Sequence, residues 1–512
     1  LVASGILLSR LAGLVRERVL AHYFGTSMFA DVFRAALRMP NVLQNLLGEG
    51  TLSASFIPVY AELLEQKRHE EAGRVAGAIF ALLLAVVAVL TLVGVGLAPV
   101  IVTIFAPGFE GERRELTITC TRIIFPMTGT LALAAWSLGI LNSHRKFFIP
   151  YVAPVVWNAA MIGVLLALGG KVDRADLVIA LAWGALAGGL LQFAVQIPWV
   201  LKVERSLKIR WDLKLEGVRE AVRNAGPAIL GRGVVQVGGW LDLVLASLLA
   251  HGAVATLGYA QTLYVLPVSL FGMSVAAAEL PELSRQRGEA SEVLCGRINT
   301  SLRRIAFLVI PSCAGYLILG DVIVGALYQS GDFVRADTVV VHLVLAGYSV
   351  GLIASTGSRL FSSAFFALHD TKTPARIALL RVLTSAAIAL PLMWPLDRVL
   401  LEGRPLGALG LSLGAGVAAW LEWTLLRRFL SKKIGEVTPG LKAVARMALA
   451  AVVAAAAGRG VLFVLPEWHP IPVAVIVLSV FGVVYFGAAR VLGLEEVSYA
   501  LKRILGKFGV RR

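Results

Sequence analysis

The sequence predicts an all-α polytopic membrane protein with about fourteen transmembrane helices, and three observations lead to this fold class. The chain of 512 residues is 58% hydrophobic, and its mean hydropathy is +0.79. Charged residues make up only 16% of it, against roughly 25% in soluble globular domains. Its apolar runs are about 20 residues or longer, enough to cross a hydrocarbon core, and they lack the alternation of a membrane β-barrel.

The predicted spans follow one another with short polar connections. They cover residues 2–23, 31–62, 74–105, 116–141, 151–169, 175–201, 218–250, 253–283, 302–328, 338–368, 374–395, 405–427, 441–465 and 470–490. We expect the second span to bend at Pro40-Asn41, because proline removes a backbone donor from a helix. Pro126, Pro227 and Pro267 lie inside other spans, where broken helices often border transport sites.

The distribution of basic residues predicts the orientation of the chain. Lysine and arginine concentrate after even-numbered spans, in the loops around 67–74, 145–146, 202–219, 285–304, 372–376 and 427–442, and in the C-terminal tail. The positive-inside rule therefore places both termini in the cytoplasm. The net charge of +16 then reflects topology and attraction to anionic membrane lipids. Nucleic-acid binding is not expected, because the basic residues flank spans and lack interleaved aromatic residues.

The polar segments suggest a division into lobes. Residues 202–219 form the longest polar stretch of the first half, so we expect an N-terminal lobe at 1–201, a cytoplasmic linker at 202–219 and a C-terminal lobe at 220–430. Spans 13 and 14 lie in 431–492. The spacing of apolar and basic residues in 493–512 suits an amphipathic helix on the inner leaflet.

Between Ser9 and Tyr60 the chain contains eight ionised side chains, which is unusual for membrane helices. These are Arg10, Arg16, Glu17, Arg18, Asp31, Arg34, Arg38 and Glu49. A charge at the bilayer centre costs roughly 2.5–3.5 kcal/mol on insertion scales, so such residues face protein, water or a bound ion. Five arginines indicate an anionic group in a wet cavity between helices. The structural alternative is an ion-pair network that braces the helices.

Helical periodicity places several of these residues together. Asp31, Arg34, Arg38 and Asn41 fall on one face of the second span, and Ser9 and Arg16 share a face of the first span with Ala12 and Gly13. The two small residues allow a close approach.

The same segment resembles the signature of the MurJ/MviN lipid II flippases. The matching residues are Ser9-Arg10, Gly13, Arg16-Glu17, Phe24-Gly25, Asp31, Pro40-Asn41, Glu49-Gly50 and Phe56-Ile57-Pro58, followed by similar stretches at 140–158, 226–231, 267–285 and 367–374. The resemblance covers nearly the whole chain. It implies two six-helix lobes around a central cavity, two C-terminal helices that line a groove for a lipid tail, and a bacterial inner membrane. It also implies lipid II as the substrate, moved from the inner to the outer leaflet by alternating access for cell-wall synthesis, and a link to the cell-wall synthesis machinery.

A lipid II substrate would require shielding of its pyrophosphate, which the guanidinium fork does well. We expect Arg10, Arg16 and Arg38 to contact the pyrophosphate or head group, with Asp31 and Glu17 holding arginines in position. Arg34, Asn41 and Arg232 complete the expected binding set, and Ser9 and Glu49 support it. The chain departs from the family pattern at Gln44 and Thr262, where many members are basic. We interpret Arg34 and Arg232 as compensating charges; the alternative is a flippase for another polyprenyl-pyrophosphate-linked glycan.

The polar residues of the spans also bear on cofactors and on other classes of protein. Asp242 matches a carboxylate that helps bind sodium in some family members, with Thr384 and Ser385 as partial further ligands. Coupling to a proton or to the membrane potential is a second hypothesis, and no other cofactor is expected. The chain shows no metal-spaced ligand set, nucleophile elbow or phosphate loop typical of an enzyme. The resemblance also implies the multidrug/oligosaccharidyl-lipid/polysaccharide exporter superfamily, which includes multidrug antiporters. An antiporter of that kind would favour acidic and aromatic cavity residues, whereas these are arginines.

Overall fold

The computed structural model describes residues 2–273, 275–276, 279, 291–466 and 468–497. Within helices, the side chains of 2–4, 6, 42–43, 45–47, 49, 228 and 230–237 lie outside the description. The expectations for the side chains of Glu49 and Arg232, and for the tail beyond residue 497, therefore fall outside the described part of the chain.

The first half of the chain is helical. Its helices are α1 (Val2–Phe24), α2 (Met28–Leu47), α3 (Glu49–Glu65), α4 (His69–Gly96), α5 (Ala98–Phe105), α6 (Gly111–Ser143), α7 (Phe148–Leu168), α8 (Arg174–Ala194), α9 (Ile197–Val203) and α10 (Glu216–Ser247).

The second half continues this pattern. Its helices are α11 (Ala253–Pro267, followed by a π-helical segment Val268–Met273), α12 (Ser291–Ile318), α13 (Gly320–Tyr328), α14 (Arg335–Val350), α15 (Leu352–Ala367), α16 (Lys372–Asp397), α17 (Gly407–Ile434), α18 (Leu441–Val461) and α19 (Pro470–Val491). Two antiparallel strands of two residues each, β1 (Leu400–Leu401) and β2 (Arg404–Pro405), form a hairpin that joins α16 to α17.

The prediction of an all-α polytopic membrane protein is confirmed, and the described part of each predicted span corresponds to one long helix or to consecutive helices. Residues 274, 277–278 and 280–283 of the eighth predicted span lie outside the description. Within the described residues, ten helices are long and apolar enough to cross a membrane, and the pair α14–α15, bent by 43°, makes up to eleven. Helices α1, α2 and α10 fall outside that set, and all three contain the charged residues discussed above.

The positions of the helix breaks differ from the prediction. Helix α2 runs through Pro40 and ends at Leu47, and the break lies at Gly48. Helices α6 and α10 likewise continue through Pro126 and Pro227, whereas Pro267 stands where α11 becomes π-helical. The expected breaks at Pro40, Pro126 and Pro227 are therefore wrong. A proline removes only one backbone hydrogen bond, so a helix packed among others can continue through it.

The chain forms two compact units. Unit 1 comprises residues 1–255 with 330–333, and unit 2 comprises 256–329 with 334–512. This division by packing places α10 in unit 1, where it packs against α3. The predicted lobes, 1–201 and 220–430, are defined as two six-helix bundles and not by the packing that separates the two units. Their bounds therefore stay a prediction.

Helix α6 is the central helix of unit 1. It packs against α2, α3, α4 and α8, and 78% of its most apolar window is buried. Its Trp136 indole donates to the carbonyl of Ala76 on α4. In unit 2 the apolar window of α19 is only 17% buried. A helix that is apolar and uncovered requires a lipid environment, so α19 presents a lipid-facing surface.

The stretch 367–374, one of the family-like motifs, forms a capped loop in unit 2. His369 adopts a positive φ of 58°, and Asp370 accepts hydrogen bonds from the Thr373 amide (3.0 Å) and the Thr373 hydroxyl (2.8 Å) at the start of α16. Lys433, near the end of α17, donates to the same carboxylate at 2.6 Å. Asp370 therefore ties the ends of α16 and α17 together.

Removing this cap should loosen the start of α16. The hydrogen bond from Lys433, followed by that from the Thr373 amide, lowers the pKa of Asp370 from 3.8 to about 2. Because the folded pKa lies below the ordinary one, the contact stabilises the loop above pH 3.8 and is lost as the pH falls towards 2. At pH 7 we expect Asp370→Ala to lower the exchange protection of the Thr373 amide about tenfold, the effect of a typical cap.

Hydrogen exchange at pH 7 measures this effect. Asp173→Ala is the matched control, because Asp173 caps α8 through the Asp176 amide at 2.8 Å. It should change protection at Asp176 and leave Thr373 unaffected. Equal protection at Thr373 in Asp370→Ala and the parent would show that the cap does not hold the helix start.

Candidate functional site

A carboxylate on α1 binds two guanidinium groups inside unit 1. Glu17 accepts from Arg16 at 2.7 Å through one oxygen and from Arg34 at 2.5 Å through the other. Glu17 is 6% exposed, and both arginine side chains are 15% exposed. One carboxylate thus holds two guanidinium groups at low exposure. The sequence predicted that Glu17 fixes the position of neighbouring arginines, and the structure brings Arg16, Glu17 and Arg34 together.

Arg16 has a second neighbour and a donor left over. Its guanidinium carbon lies 5.2 Å from the centroid of the Trp157 ring of α7, a cation–π distance. The Nε atom of Arg16 is buried and has no hydrogen-bond partner among the described residues. A buried unsatisfied donor is costly, so an anionic ligand that reached this atom would relieve that cost.

Arg38 lies against a glycine of α10. An ideal Cβ at Gly239 would stand 3.0 Å from Nη2 of Arg38, so the absence of a side chain allows the guanidinium to approach α10. Asp242 follows three residues later on the same helix face, and it is half-buried. The structure therefore places Arg38 beside the face of α10 that carries Asp242.

The remaining predicted site residues of α1 and α2 are Ser9, Arg10 and Asn41. Ser9 and Arg10 are half-buried on α1. Asn41 is half-buried, and its Oδ1 is buried with no hydrogen-bond partner in the described part of the chain. That oxygen is thus an available acceptor on the same α2 face as Arg34 and Arg38.

Asp31 occupies a different environment, at the start of α2. It is fully buried and accepts from Arg113 of α6 at 2.6 Å, from the Gly252 amide at 2.6 Å and from the Ala255 amide at 2.7 Å. These two amides lie at the start of α11, where backbone N–H groups have no acceptor within the helix. Asp31, which is far away in the sequence, therefore caps α11. Gly252 has φ +89°, a conformation that favours glycine.

Two arginines were not among the predicted site residues. Arg113 is 3% exposed, its guanidinium carbon lies 3.6 Å from the centroid of the Phe109 ring, and it pairs with Asp31. It lies before the fourth predicted span, in a segment predicted to be a loop, so its burial was not expected. Arg122 is exposed on α6 and makes no ion pair with another described residue. Its position inside an apolar span, four residues before Pro126, is the signal that could have identified it.

Unit 2 contains an ion pair within its spans. Arg381 of α16 donates to Glu422 of α17 at 2.6 Å. The Ser355 hydroxyl of α15 lies 3.4 Å from Arg381 Nη2 and accepts from the Tyr264 hydroxyl at 2.7 Å. The Thr262 hydroxyl donates to the carbonyl of Gly258 on its own helix at 2.9 Å.

A metal site does not emerge from the described side chains. Among them, no group of three or more His, Cys, Asp or Glu is placed to hold a metal ion. Asp242 belongs to unit 1 and the other suggested sodium ligands, Thr384 and Ser385, to unit 2. The sodium hypothesis stays a prediction. Cys120 and Cys313 are buried free thiols, and Cys295 is half-buried.

These observations define the class of the protein. Membrane-length helices with arginine–carboxylate groups among them are typical of an integral membrane transporter. The chain belongs to the family described as lipid II flippase MurJ, whose family model matches residues 20–482.

Individual relatives agree with this family. A probable lipid II flippase MurJ of Rhizobium meliloti (strain 1021) is 33% identical over 482 residues, which is 92% of this chain and 87% of the relative. The lipid II flippase MurJ of Burkholderia cenocepacia is 33% identical over 451 residues, 86% of this chain and 85% of that protein.

Solved structures show the same fold. A lipid II flippase MurJ in an inward closed conformation superposes with a TM-score of 0.78 at 22% identity and covers 98% of this chain and 99% of its own. An inward-facing multidrug resistance MATE family transporter of the MOP superfamily gives a TM-score of 0.66 at 18% identity, over 83% of this chain and 95% of its own.

Proposed function

We propose that this protein is a flippase that moves lipid II from the inner to the outer leaflet of the bacterial cytoplasmic membrane for cell-wall synthesis. Membership of the MurJ family supports this substrate. The observation in the structure that carries the proposal is the Arg16–Glu17–Arg34 group, which holds two guanidinium groups at low exposure within membrane helices. A pyrophosphate that crosses a bilayer needs such donors.

The proposed binding residues are those of α1 and α2 that retain donors or acceptors. Arg16 offers its buried Nε, and Asn41 offers its buried Oδ1. Arg10, Arg34 and Arg38 add positive charge, and Arg232 is included on sequence alone. Glu17 acts as a positioning residue, because it fixes two guanidinium groups at once. Asp31 fixes the start of α11 and pairs with Arg113, so its role is to hold these helices in place rather than to position the arginines of α1 and α2.

Alternating access and cytoplasmic termini complete the proposed mechanism. The positive-inside pattern supports this orientation. The two phosphate charges would make the crossing sensitive to membrane potential, by about 2.3 kcal/mol per charge per 100 mV. Sodium or proton coupling at Asp242 is a separate hypothesis within the same mechanism.

Complementation of a bacterium depleted of its own lipid II flippase tests the proposed function. We expect the chain to restore growth and the appearance of lipid II in the outer leaflet. Expression in the membrane without either result would refute lipid II transport and favour a different lipid-linked glycan.

The contact between Arg38 and α10 gives a sharper test of the site. Gly239→Leu should displace the Arg38 guanidinium, because even a Cβ would stand 3.0 Å from it. We expect growth in the complementation assay to fall strongly while the amount of protein in the membrane stays normal. Gly226→Leu on the same helix is the control, since a Cβ there would meet nothing within 4 Å. Equal growth with both variants would contradict a role for the position of Arg38.

A further inference from the structure

Unit 2 contains a cavity at one end of its last two helices, apart from the arginines of α1 and α2. It has a volume of about 690 Å³ and is lined by α13, the start of α14, the end of α18 and the start of α19. A volume of this size suits a small polar head group. Because α18 ends at Val461 and α19 begins at Pro470, the cavity lies where two membrane helices leave the bilayer.

The charges in this cavity are unbalanced. Asp321, 8% exposed, lies 2.8 Å from Nη1 of Arg459 through each of its oxygens, and 3.7 Å from Nη2 of Arg335. Among the described residues that line the cavity, two guanidinium groups thus face one carboxylate, an excess of one positive charge.

Most of the arginine donors remain available. A single nitrogen of Arg459 makes both contacts with Asp321, and Arg335 makes no hydrogen bond within the described part of the chain. The side chains of Arg459 and Arg335 are 44% and 59% exposed. Gln329, which also lines the cavity, accepts from the Thr338 hydroxyl through Oε1, so its amide NH₂ is a further donor. These groups match a phosphate, which accepts several charge-assisted hydrogen bonds.

The rim of the cavity is aromatic and apolar. Trp468 is 53% exposed and Phe463 89% exposed, both in the connection between α18 and α19. Tryptophan at such a position is typical of the membrane–water interface. The apolar residues Ile471, Val475 and Leu478 of α19 are also exposed. They lie on a different face of the helix from Val473, which lines the cavity, so they show only that α19 meets lipid beside this end of the unit.

We propose that this cavity binds the phosphate head group of an anionic phospholipid in the adjacent leaflet. Arg335 and Arg459 contact the phosphate, Gln329 donates to it, and the acyl chains extend past the aromatic rim at Trp468 and Phe463 into the bilayer. The site is separate from the proposed transport site, so the proposal does not depend on the transported substrate.

Native mass spectrometry of the full chain tests this site, with phosphatidylglycerol, phosphatidylcholine and inorganic phosphate as probes. We expect retention of phosphatidylglycerol over phosphatidylcholine, and about tenfold weaker retention in Arg335→Gln, the loss of one charge-assisted contact. Arg398→Gln is the matched control, because Arg398 is exposed at the end of α16 and does not line the cavity. Gly325→Leu should also weaken binding, since Gly325 lines the cavity and the substitution fills it without a change in charge.

Three results would overturn the proposal. The first is parent-like retention of phosphatidylglycerol in both Arg335→Gln and Gly325→Leu, each confirmed as folded by its thermal midpoint. The second is equal retention of phosphatidylglycerol and phosphatidylcholine. The third is tighter binding of inorganic phosphate than of phosphatidylglycerol, which would identify a site for a soluble anion.

Discussion

Arg16→Ala is expected to abolish complementation of a flippase-depleted cell while the protein reaches the membrane in normal amount. Arg16 contributes a cation beside Trp157 and a buried Nε that lacks a partner among the described residues. The folded helices should tolerate its removal, because Glu17 keeps Arg34 as a partner. One charge-assisted hydrogen bond is worth about 1.5–3 kcal/mol, so lipid II affinity should fall about 10- to 100-fold.

Two further variants make the Arg16 result specific. Arg16→Lys keeps the charge but loses the planar fork, and it should restore only part of the growth. Arg114→Ala removes a half-buried arginine that pairs with the adjacent Glu115, and the cells should grow normally. Full growth with Arg16→Ala and Arg10→Ala combined would refute pyrophosphate binding by these arginines.

Asp31→Ala is expected to destabilise the protein itself rather than only its transport. The substitution leaves Arg113 buried without its carboxylate and leaves the Gly252 and Ala255 amides without an acceptor. Breaking a buried ion pair from one side costs about 3–5 kcal/mol. We therefore expect less protein in the membrane and a lower thermal midpoint in detergent.

A double substitution separates a structural role of Asp31 from a role in binding. Asp31→Leu with Arg113→Leu removes both charges, so it should recover part of the stability lost in Asp31→Ala. Asp176→Ala, an exposed carboxylate at the start of α8, should have little effect. A stable Asp31→Ala protein that nevertheless failed to complement would indicate that Asp31 contacts the substrate instead.

The fold class could be predicted because the bilayer imposes a simple rule on sequence. A backbone in hydrocarbon must satisfy its own hydrogen bonds, so long apolar runs become helices, and the described part of each predicted run is mainly helical. The helix breaks were less predictable. Pro40, Pro126 and Pro227 looked like breaks by local chemistry, yet packing kept those helices continuous, and α2 ended at Gly48 instead.

The site was predictable in part. The pairing of Glu17 with arginines follows from the cost of isolated charges in a membrane, which forces neighbouring opposite charges together. Periodicity alone placed Asp31, Arg34 and Arg38 on one face, but it could not show that Asp31 turns to Arg113, which lies 82 residues away. A long-range partner depends on how helices pack, and one sequence contains no direct signal of it.

The sequence by itself determined that this chain spans a membrane with buried arginines, since composition and run length fix the solvent of each segment. Only the tertiary structure decided which carboxylate each arginine meets. Glu17 bridges Arg16 and Arg34, Asp31 caps α11 beside Arg113, and Asp321 leaves Arg335 and Arg459 with donors to offer. Ion pairs form over a few ångströms, and those distances are set by the packing of helices that lie far apart in the chain.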